Sequence, residues 1–237
     1  MSIVRLYHPE NIIENSTNLL SKEHTHYIVN VMRLKRGSKI NFFNKGGEWL
    51  SEIVFLDRDR VEIKFLNKIK ESFPASNIEL AICLVKKNPM EIILQKATEL
   101  GVSRIIPIIS ERTEVKDLNL ERANKITIEA TEQSNQLNPP KINQMINLKD
   151  FINSISKETK LFFADINSKH TPSSKDMKGF KKISILIGPE GDFSPSEREL
   201  ILKKSNVIPF SLSKNILRTD TAVISAISLV NFINNNH

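Results

Sequence analysis

The sequence contains a single cysteine, Cys83, among its 237 residues. One cysteine excludes a disulfide within the chain and a zinc site built from cysteines. Its place in the apolar stretch IELAICLV predicts a core thiol. Two of the five histidines, His24 and His26, lie two positions apart and do not share a face of a predicted helix. We therefore predict no metal site.

Long apolar runs are also absent. No stretch approaches the length of a membrane span, so we predict no membrane association. We expect no signal peptide, because the start MSIVRLYHPE has no basic region followed by a long apolar core. Together with the scarcity of cysteine, these absences favour a reduced, cytoplasmic setting.

Composition and charge narrow the class of protein without fixing its partner. The chain is 40% hydrophobic and 26% charged, as is typical of globular proteins. Its length allows one large domain or two small ones. The net charge of +7 comes from 34 basic and 27 acidic residues. That charge suits a polyanionic partner and an ordinary solvated surface equally well.

The N-terminal part of the chain has the alternating pattern of β structure. VEIKF alternates strictly, and KINFFNKGGEWL predicts a hairpin in which Gly46 and Gly47 supply the positive φ angles of the turn. Several short strands joined by tight turns predict a small barrel. SKEHTHYIVNVMR predicts one helix capped by Ser21, and KESFPASN (70–77) predicts a linker.

From residue 78 onward, apolar runs alternate with amphipathic segments. Five runs predict strands: IELAICLV, RIIPIIS, TKLFFADI, ISILIG and VIPFSL. MEIILQKATELG predicts a helix that ends at Gly101, and LERANKITIEATEQSNQ predicts a longer one. Ser194-Pro195-Ser196-Glu197 has the pattern of a capping box with proline at the first helical position. The alternation predicts a layered α/β domain with a mainly parallel sheet.

The segment IGPEGDFSPSE joins a predicted strand to a predicted helix through Gly188 and Gly191. It lacks the spacing and the lysine of a P-loop, and it does not match the dinucleotide pattern GxGxxG. It does match GxxG, which clamps RNA backbone in KH domains, but Glu190 and Asp192 would repel phosphate. A ligand without phosphate, or with positive charge, fits better. A plain strand-to-helix turn eased by glycine is the other interpretation.

The segment LSKNILRTDTA (212–222) also follows a predicted strand and opens a helix. Thr219 or Asp220 is expected to cap that helix. Arg218 is unusual there, because a cation beside the positive end of a helix needs a compensating anion or a function. This segment and the glycine turn both follow C-terminal ends of strands, where ligands bind in open α/β sheets.

Several segments together resemble one known family. IGPEGDFSPSE, ILRTDTA, LQKATELGVSRIIPIISERT and EATEQS resemble motifs of the bacterial 16S ribosomal RNA uridine-N3 methyltransferases, which belong to the SPOUT superfamily. The opening RLYHPE and the stretch HYIVNVMRLKRG match the start of that family. The resemblance spans nearly the whole chain in the expected order, so it is far more specific than one glycine turn.

The resemblance implies a fold of two domains. Residues 1–72 would form a PUA-like β-barrel that binds RNA, and residues 73–237 a SPOUT-type α/β domain with a deep trefoil knot, a rare topology. It implies S-adenosylmethionine as methyl donor, S-adenosylhomocysteine as its product, and no metal. The implied partners are 16S rRNA in the small (30S) ribosomal subunit and a second copy of the chain, in a homodimer with the site near the interface.

The family motifs also imply site residues. The implied cofactor-binding positions are Ala164, Ile187, Gly188, Pro189, Glu190, Gly191, Leu212, Ser213, Ile216, Leu217 and Thr221. The implied RNA-binding positions are His26, Arg33, Lys35, Lys86, Lys96 and Arg112. Removal of the uridine N3 proton calls for a base, and Glu190 and Asp220 are the candidates. Arg218 is expected to stabilise charge on the uracil oxygens or to hold an RNA phosphate.

The acidic turn is compatible with this donor, because S-adenosylmethionine carries a sulfonium cation and no phosphate. The chain departs from the family where Asp192 replaces the last glycine of GPEGG, and where Ser213 and Asn215 replace glycine and arginine. The usual KGDRM reads KKNPM, and the arginine after EQS is missing at Asn135 and Gln136. These departures concern individual RNA contacts more than the cofactor loops.

Three other interpretations stay open at this point. A SPOUT methyltransferase could act on a different RNA or a different atom. A non-catalytic RNA-binding protein could keep the fold, although Arg218, Asp220 and the glycine turn argue against it. A Rossmann-type methyltransferase would carry its glycine loop after the first strand of the α/β domain, where LVKKNPM has no glycine.

Overall fold

The computed structural model of the chain describes residues 3–235, and these fall into two units. The first unit contains the chain up to Pro74 together with Thr131–Asn138. The second contains Ala75–Ala130 and the chain from Pro139 onward. The predicted domain boundary between residues 72 and 73 stays a prediction.

The first unit is built on five strands. They are β1 (Val4–Tyr7), β2 (Thr17–Leu19), β3 (Lys39–Asn44), β4 (Gly47–Leu56) and β5 (Val61–Glu71). The order in the sheet is β1-β3-β4-β5-β2, with β1 parallel to β3 and the other pairs antiparallel. The alternation in VEIKF predicted one apolar face, and Val61, Ile63 and Phe65 are fully buried.

The turn between β3 and β4 differs from the prediction in one respect. Asn44 pairs with Gly47, so Lys45 and Gly46 form a two-residue turn. Of the two glycines, Gly47 alone has a positive φ, at 140°. A Cβ on Gly47 would lie 2.5 Å from the Lys70 carbonyl oxygen. Glycine is therefore required at 47 by the close approach of β5, and the expectation of positive φ at both positions is wrong.

One helical segment follows β2, as predicted. Helix α1 (Lys22–His26) begins after Ser21, whose hydroxyl accepts a hydrogen bond from the His24 backbone N–H at 3.2 Å. The predicted cap is confirmed. The helix continues as one π-helical stretch, Tyr27–Val31. Arg33, with φ of 51°, ends the helical path in the left-handed region.

The segment Thr131–Asn138 is tied to β1 within the first unit. The Arg5 guanidinium donates to the carbonyl oxygens of Thr131 at 3.0 Å and Glu132 at 3.2 Å, and also to that of Gln136. It pairs with Glu48 at 2.9 Å. The Tyr7 backbone N–H donates to Glu132 Oε1 at 2.8 Å. The motif EATEQS thus supplies main-chain and side-chain acceptors that hold β1.

The second unit contains a parallel sheet, as predicted. Its strands are β6 (Ile78–Cys83), β7 (Arg104–Ile109), β8 (Lys141–Ile142), β9 (Ile146–Asn147), β10 (Thr159–Ala164), β11 (Lys182–Ile187) and β12 (Val207–Phe210). The order is β12-β10-β11-β6-β7-β8, with β9 also paired to β7, and every pair is parallel.

Helices cover both faces of this sheet. They are α2 (Lys87–Glu99), α3 (Leu120–Gln133), α4 (Leu148–Ser154), α5 (Pro195–Leu202) and α6 (Thr219–Asn235). Alternate residues of β6 enter two cores: Leu80 and Ile82 pack with residues of α2, α3 and α6, whereas Ala81 and Cys83 pack with α4 and α5. Burial raises the pKa of the Cys83 thiol to about 12, as suits the predicted core thiol.

The strand order places β11 between two strands that precede it in the chain, β6 and β10. The trefoil knot implied by the resemblance stays a prediction. Because β10, β11 and β12 are neighbours and parallel, the loops that follow them meet at one edge of the sheet.

Candidate functional site

A cavity of about 530 Å³ lies where the loops after β10, β11 and β12 meet. Of the eleven residues predicted to bind the cofactor, ten line this cavity and Thr221 does not. Arg218 and Glu190, two of the three predicted catalytic residues, also line it. Asp220 lies outside the lining, in the first turn of α6.

The glycine turn is held by its own backbone. The Asp192 N–H donates to the Pro189 carbonyl oxygen at 2.9 Å, and Asp192 has a φ of 57°. That left-handed conformation accounts for glycine being usual at this position, and aspartate is one of the residues that tolerate it. Asp192 Oδ1 accepts a hydrogen bond from the Phe193 N–H at 2.7 Å. The departure from GPEGG therefore preserves the turn.

The helix after this turn begins as predicted. The Ser194 hydroxyl accepts from the Glu197 N–H at 3.2 Å, and Glu197 Oε2 accepts from the Ser194 N–H at 3.0 Å. Pro195 stands at the first helical position of α5. The capping box is confirmed, and it fixes the direction in which the chain leaves the turn.

The loop Ser211–Arg218 forms the opposite wall of the cavity. The Asn215 N–H donates to the Ser213 hydroxyl at 3.0 Å, so these two departures from the family form a local turn. Ile216 is 88% exposed although it lines the cavity. Within the described residues, the side chains of Arg218 and Glu190 have no hydrogen-bond or ion-pair partner. Both are solvent-exposed.

The start of α6 differs from the prediction. The Arg218 carbonyl oxygen accepts the hydrogen bond of the Ala222 N–H at 2.8 Å, and the helix begins at Thr219. Arg218 therefore occupies the capping position, and neither Thr219 nor Asp220 does. Asp220 Oδ1 instead accepts from the Thr221 N–H at 2.7 Å. As a carboxylate in the first turn, Asp220 offsets the unfavourable position of the Arg218 cation.

An ion pair between a buried carboxylate and a partly exposed arginine borders the cavity on the β10 side. Asp165 is 3% exposed, and its Oδ2 accepts from Arg198 Nη2 at 2.7 Å and Nε at 3.1 Å. Its Oδ1 accepts from the Asn167 N–H at 3.0 Å. The hydrogen bond to Asp165 raises the pKa of the Arg198 guanidinium above its ordinary value. The predicted strand TKLFFADI includes Asp165, but sequence reasoning missed Arg198, which carries no local signal beyond its place in a helix.

The predicted RNA-binding residues lie in both units. His26, Arg33 and Lys35 are exposed in the first unit. In the second unit, Lys86 lies 3.9 Å from Glu114, and Lys96 pairs with Glu99 at 2.9 Å. Arg112 Nη1 donates to the Gly191 carbonyl oxygen at 2.9 Å, so this side chain contacts the glycine turn itself.

The described residues offer neither a metal cluster nor a helix that could span a membrane. Within residues 3–235, no group of three or more histidine, cysteine, aspartate or glutamate side chains could hold a metal ion. In that same range, every helix is too short or too polar to cross a membrane.

Comparison with known proteins identifies the family. A sequence model described as an RNA methyltransferase domain matches residues 71–231, and one described as an RNA methyltransferase PUA domain matches residues 20–66. The ribosomal RNA small subunit methyltransferase E of Rickettsia conorii is 33% identical over 239 residues, covering 98% of this chain and 97% of the relative. The chain belongs to the ribosomal RNA small subunit methyltransferase E family.

Other members of the methyltransferase E family match equally widely. The protein of that name from Buchnera aphidicola subsp. Schizaphis graminum is 34% identical over 235 residues, covering 95% of this chain and 94% of the relative. The crystal structure of the Neisseria gonorrhoeae protein, bound to S-adenosyl methionine, is 29% identical with a TM-score of 0.88 and covers 98% of each chain. The predicted combination of a PUA-like part with a SPOUT α/β domain is confirmed.

Proposed function

We propose that this chain methylates N3 of a uridine in the 16S rRNA of the small ribosomal subunit, with S-adenosylmethionine as methyl donor. The observation that carries the proposal is the cavity between the turn Gly188–Asp192 and the loop Ser211–Arg218, where ten predicted cofactor positions meet. Family membership supports the substrate class, and the relative solved with S-adenosyl methionine supports the donor.

The cavity fits the proposed donor in size and in chemistry. Its volume of about 530 Å³ lies within the range of roughly 300–1,000 Å³ found for small-molecule sites. Leu212, Ile216 and Leu217 line it with apolar surface suited to the faces of adenine. Ile216 is 88% exposed, which is high for an isoleucine, and a bound ligand would reduce that exposure. The carboxylate of Glu190 favours a cationic ligand over a phosphate.

S-adenosylmethionine supplies, when bound, a methyl group on a positively charged sulfur. The chain's contribution is to hold the methyl donor and the acceptor base and to orient them for transfer. Backbone N–H and C=O groups of the glycine turn can approach the ligand closely because Gly188 and Gly191 carry no side chain. Holding two reactants in line is the main source of rate in such a transfer.

The acceptor nitrogen must lose its proton before it attacks. A positioned base contributes about 10²–10⁴-fold to such a step. Of the two candidate carboxylates, Glu190 lines the cavity, whereas Asp220 lies outside the lining and accepts a hydrogen bond from Thr221. We therefore favour Glu190 as the base. Arg218 lines the cavity with a free guanidinium, which is suited to stabilise charge on the uracil oxygens or to hold an RNA phosphate.

The remaining expectations belong to the same proposal. The first unit would bind RNA through His26, Arg33 and Lys35, and the second would add Lys86 and Lys96. The target base would be turned out of its stack to reach the cavity. We also propose a homodimer with the cavity near its interface, a trefoil knot in the α/β domain, and action in the cytoplasm, where the ribosomal substrate is found.

The test is a comparison of Arg218→Ala with Lys214→Ala, an exposed cation in the same loop. We expect Arg218→Ala to lower kcat by about 10²-fold or more, because it removes charge stabilisation in the transition state. Its affinity for S-adenosylmethionine, measured by calorimetry, should stay within about twofold. Lys214→Ala should keep wild-type turnover. Loss of cofactor binding in Arg218→Ala would contradict the assigned role.

The product distinguishes the proposal from its alternatives. Small subunits lacking the modification are treated with labelled donor, and the methylated nucleotide is mapped by mass spectrometry. Methylation at another atom or in another RNA would assign the chain a different substrate. Failure of the wild-type chain to bind S-adenosylmethionine would favour a non-catalytic RNA-binding role.

A further inference from the structure

Arg112 reaches from the loop after β7 to the glycine turn. Its Nη1 donates to the Gly191 carbonyl oxygen at 2.9 Å and, more weakly, to the Phe193 carbonyl oxygen at 3.5 Å. Its Cβ and Cδ lie 3.6 and 3.7 Å from where a Cβ on Gly191 would be. The side chain therefore packs against the turn as well as hydrogen-bonding to it.

The loop that carries Arg112 is closed by hydrogen bonds between Ser110 and Thr113. The Ser110 N–H donates to Thr113 Oγ1 at 3.0 Å, and the two hydroxyls lie 2.8 Å apart. The Thr113 N–H returns to the Ser110 carbonyl oxygen at 3.2 Å. Ser110 and Thr113 are 4% and 3% exposed. Arg112 thus projects from a four-residue turn whose two end residues, Ser110 and Thr113, are buried and hydrogen-bonded to each other.

A second link joins the same two loops. The Glu197 carboxylate accepts the Glu111 N–H on Oε1 at 2.8 Å and the Ser194 N–H on Oε2 at 3.0 Å. Glu197 is 7% exposed, so both of its oxygens are engaged away from solvent. Arg112 therefore holds the turn at Gly191, and Glu197 holds the residue Ser194 that follows it.

We propose that Arg112 is a positioning residue for the cofactor turn: it fixes the Gly191 carbonyl so that the backbone edge facing the cavity is set before the donor binds. The inference rests on the proposed function. It assigns Arg112 differently from the family resemblance, which implied an RNA contact. The reason is geometric, since its guanidinium is directed to two backbone carbonyls of the turn.

The experiment compares four variants with the wild-type chain by calorimetry with S-adenosylmethionine. For Arg112→Ala, the Kd should rise roughly tenfold, as for the loss of a hydrogen bond from a charged donor. Arg112→Lys, which keeps a donor and a charge, should recover most of that affinity. Thr113→Val, which loosens the base of the loop without changing charge, should raise the Kd about threefold. Lys116→Ala, an exposed cation in the following segment, should bind as the wild type does.

Turnover and RNA binding separate positioning from other roles. In Arg112→Ala the KM for S-adenosylmethionine should rise by the same factor as the Kd, with kcat changed less. The Kd for small subunits should change equally in Arg112→Ala and Lys116→Ala, because each removes one exposed positive charge. Thermal unfolding of unliganded Arg112→Ala, Arg112→Lys and Lys116→Ala should match the wild type, whereas Thr113→Val should unfold at a lower temperature because it leaves the buried Ser110 N–H without its acceptor.

Two results would overturn the inference. One is Arg112→Ala binding S-adenosylmethionine as tightly as Lys116→Ala does. The other is a loss of RNA affinity in Arg112→Ala with cofactor affinity unchanged, which would return Arg112 to the RNA surface. A wild-type chain that binds no S-adenosylmethionine would instead sink the proposed function, so the two failures are distinguishable.

Discussion

Gly188 and Gly191 are glycine for different physical reasons. A Cβ on Gly188 would lie 3.0 Å from the Phe193 ring, so a side chain there would force that ring to shift. A Cβ on Gly191 would come no closer than 3.6 Å to any atom of Arg112, an ordinary contact distance. Space within the chain therefore does not demand glycine at 191, which lines the cavity. We therefore expect the absence of a side chain at 191 to leave room for a ligand.

Alanine substitutions separate these two reasons. Gly188→Ala is expected to cost about 1–3 kcal/mol of unfolding free energy through overpacking against Phe193. Gly191→Ala should leave that free energy within about 0.5 kcal/mol, or raise it slightly through the unfolded chain. It should nevertheless weaken S-adenosylmethionine binding several-fold. Urea unfolding and calorimetry give the two readings, and unchanged cofactor affinity in Gly191→Ala would mean that position 191 does not face the ligand.

At the scale of elements, the ion pair between Asp165 and Arg198 connects the end of β10 to helix α5. Asp165 has a side-chain exposure of 1%, whereas that of Arg198 is 39%. The Asp165 carboxylate is shielded from water, so it depends on Arg198 for a charged partner. Its loop borders the cavity, and α5 follows the glycine turn. The pair thus holds two walls of the cavity at a fixed spacing.

Arg198→Met is expected to lower the unfolding free energy by about 1–3 kcal/mol, because it leaves the buried Asp165 carboxylate without its charged donor. Partial exposure of Arg198 keeps the effect below that of a fully buried pair. The matched control is Lys203→Met on the same helix, where the exposed pair with Glu199 should be worth less than about 1 kcal/mol. Urea unfolding measures both free energies. Equal losses in the two variants would contradict a larger contribution from the pair with the buried carboxylate.

Elements with strong periodicity were predictable from the sequence, and elements defined by pairing were not. VEIKF, the capping box at Ser194 and the cap at Ser21 each carry a local signal, and the structure has all three. Strands β8 and β9 have two residues each, too few for any period, and helix α4 was also missed. The neighbours of β11 depend on contacts distant in sequence, so no local pattern indicates them.

In the candidate site, too, features with a local sequence signal were predictable and contacts between distant residues were not. The two loops were predictable as a pair because both follow strands, and they do share one cavity. The capping position of α6 was misplaced by one or two residues, since Thr219 and Asp220 are ordinary caps and Arg218 is not. The contacts of Arg112 and Arg198 could not be predicted, because a long cationic side chain reaches its partner through space without a spacing rule.

At the scale of the whole molecule, positive charge is spread along the chain. Residues 1–72 contain 12 basic and 9 acidic residues, which leaves 22 basic and 18 acidic in the remainder. The four predicted RNA-binding lysines and arginines other than Arg112 divide evenly, with Arg33 and Lys35 in the first unit and Lys86 and Lys96 in the second. Such a distribution suits an extended polyanion more than a small anionic ligand.

Binding to small subunits should therefore weaken steeply with salt. About four phosphate contacts predict a loss of affinity on the order of 100-fold between roughly 50 and 200 mM monovalent salt, since each contact releases counterions. Fluorescence anisotropy with labelled rRNA measures the slope. The double variant Arg33→Ala, Lys35→Ala should flatten that slope, whereas Lys157→Ala, an exposed lysine outside the predicted set, should change it little. A flat response in the wild type would argue against an electrostatic RNA surface.

The central place of β11 has a consequence for how the protein is made. Strands β6 and β10 are synthesised before β11, and each keeps an unpaired apolar edge until β11 enters between them. The glycine turn follows β11 directly, so one wall of the cavity is placed by the same strand that covers those edges. A nascent or truncated chain that ends before Lys182 is thus aggregation-prone and also lacks a cofactor wall. Protection of the strand edges and placement of the glycine turn therefore depend on the same strand.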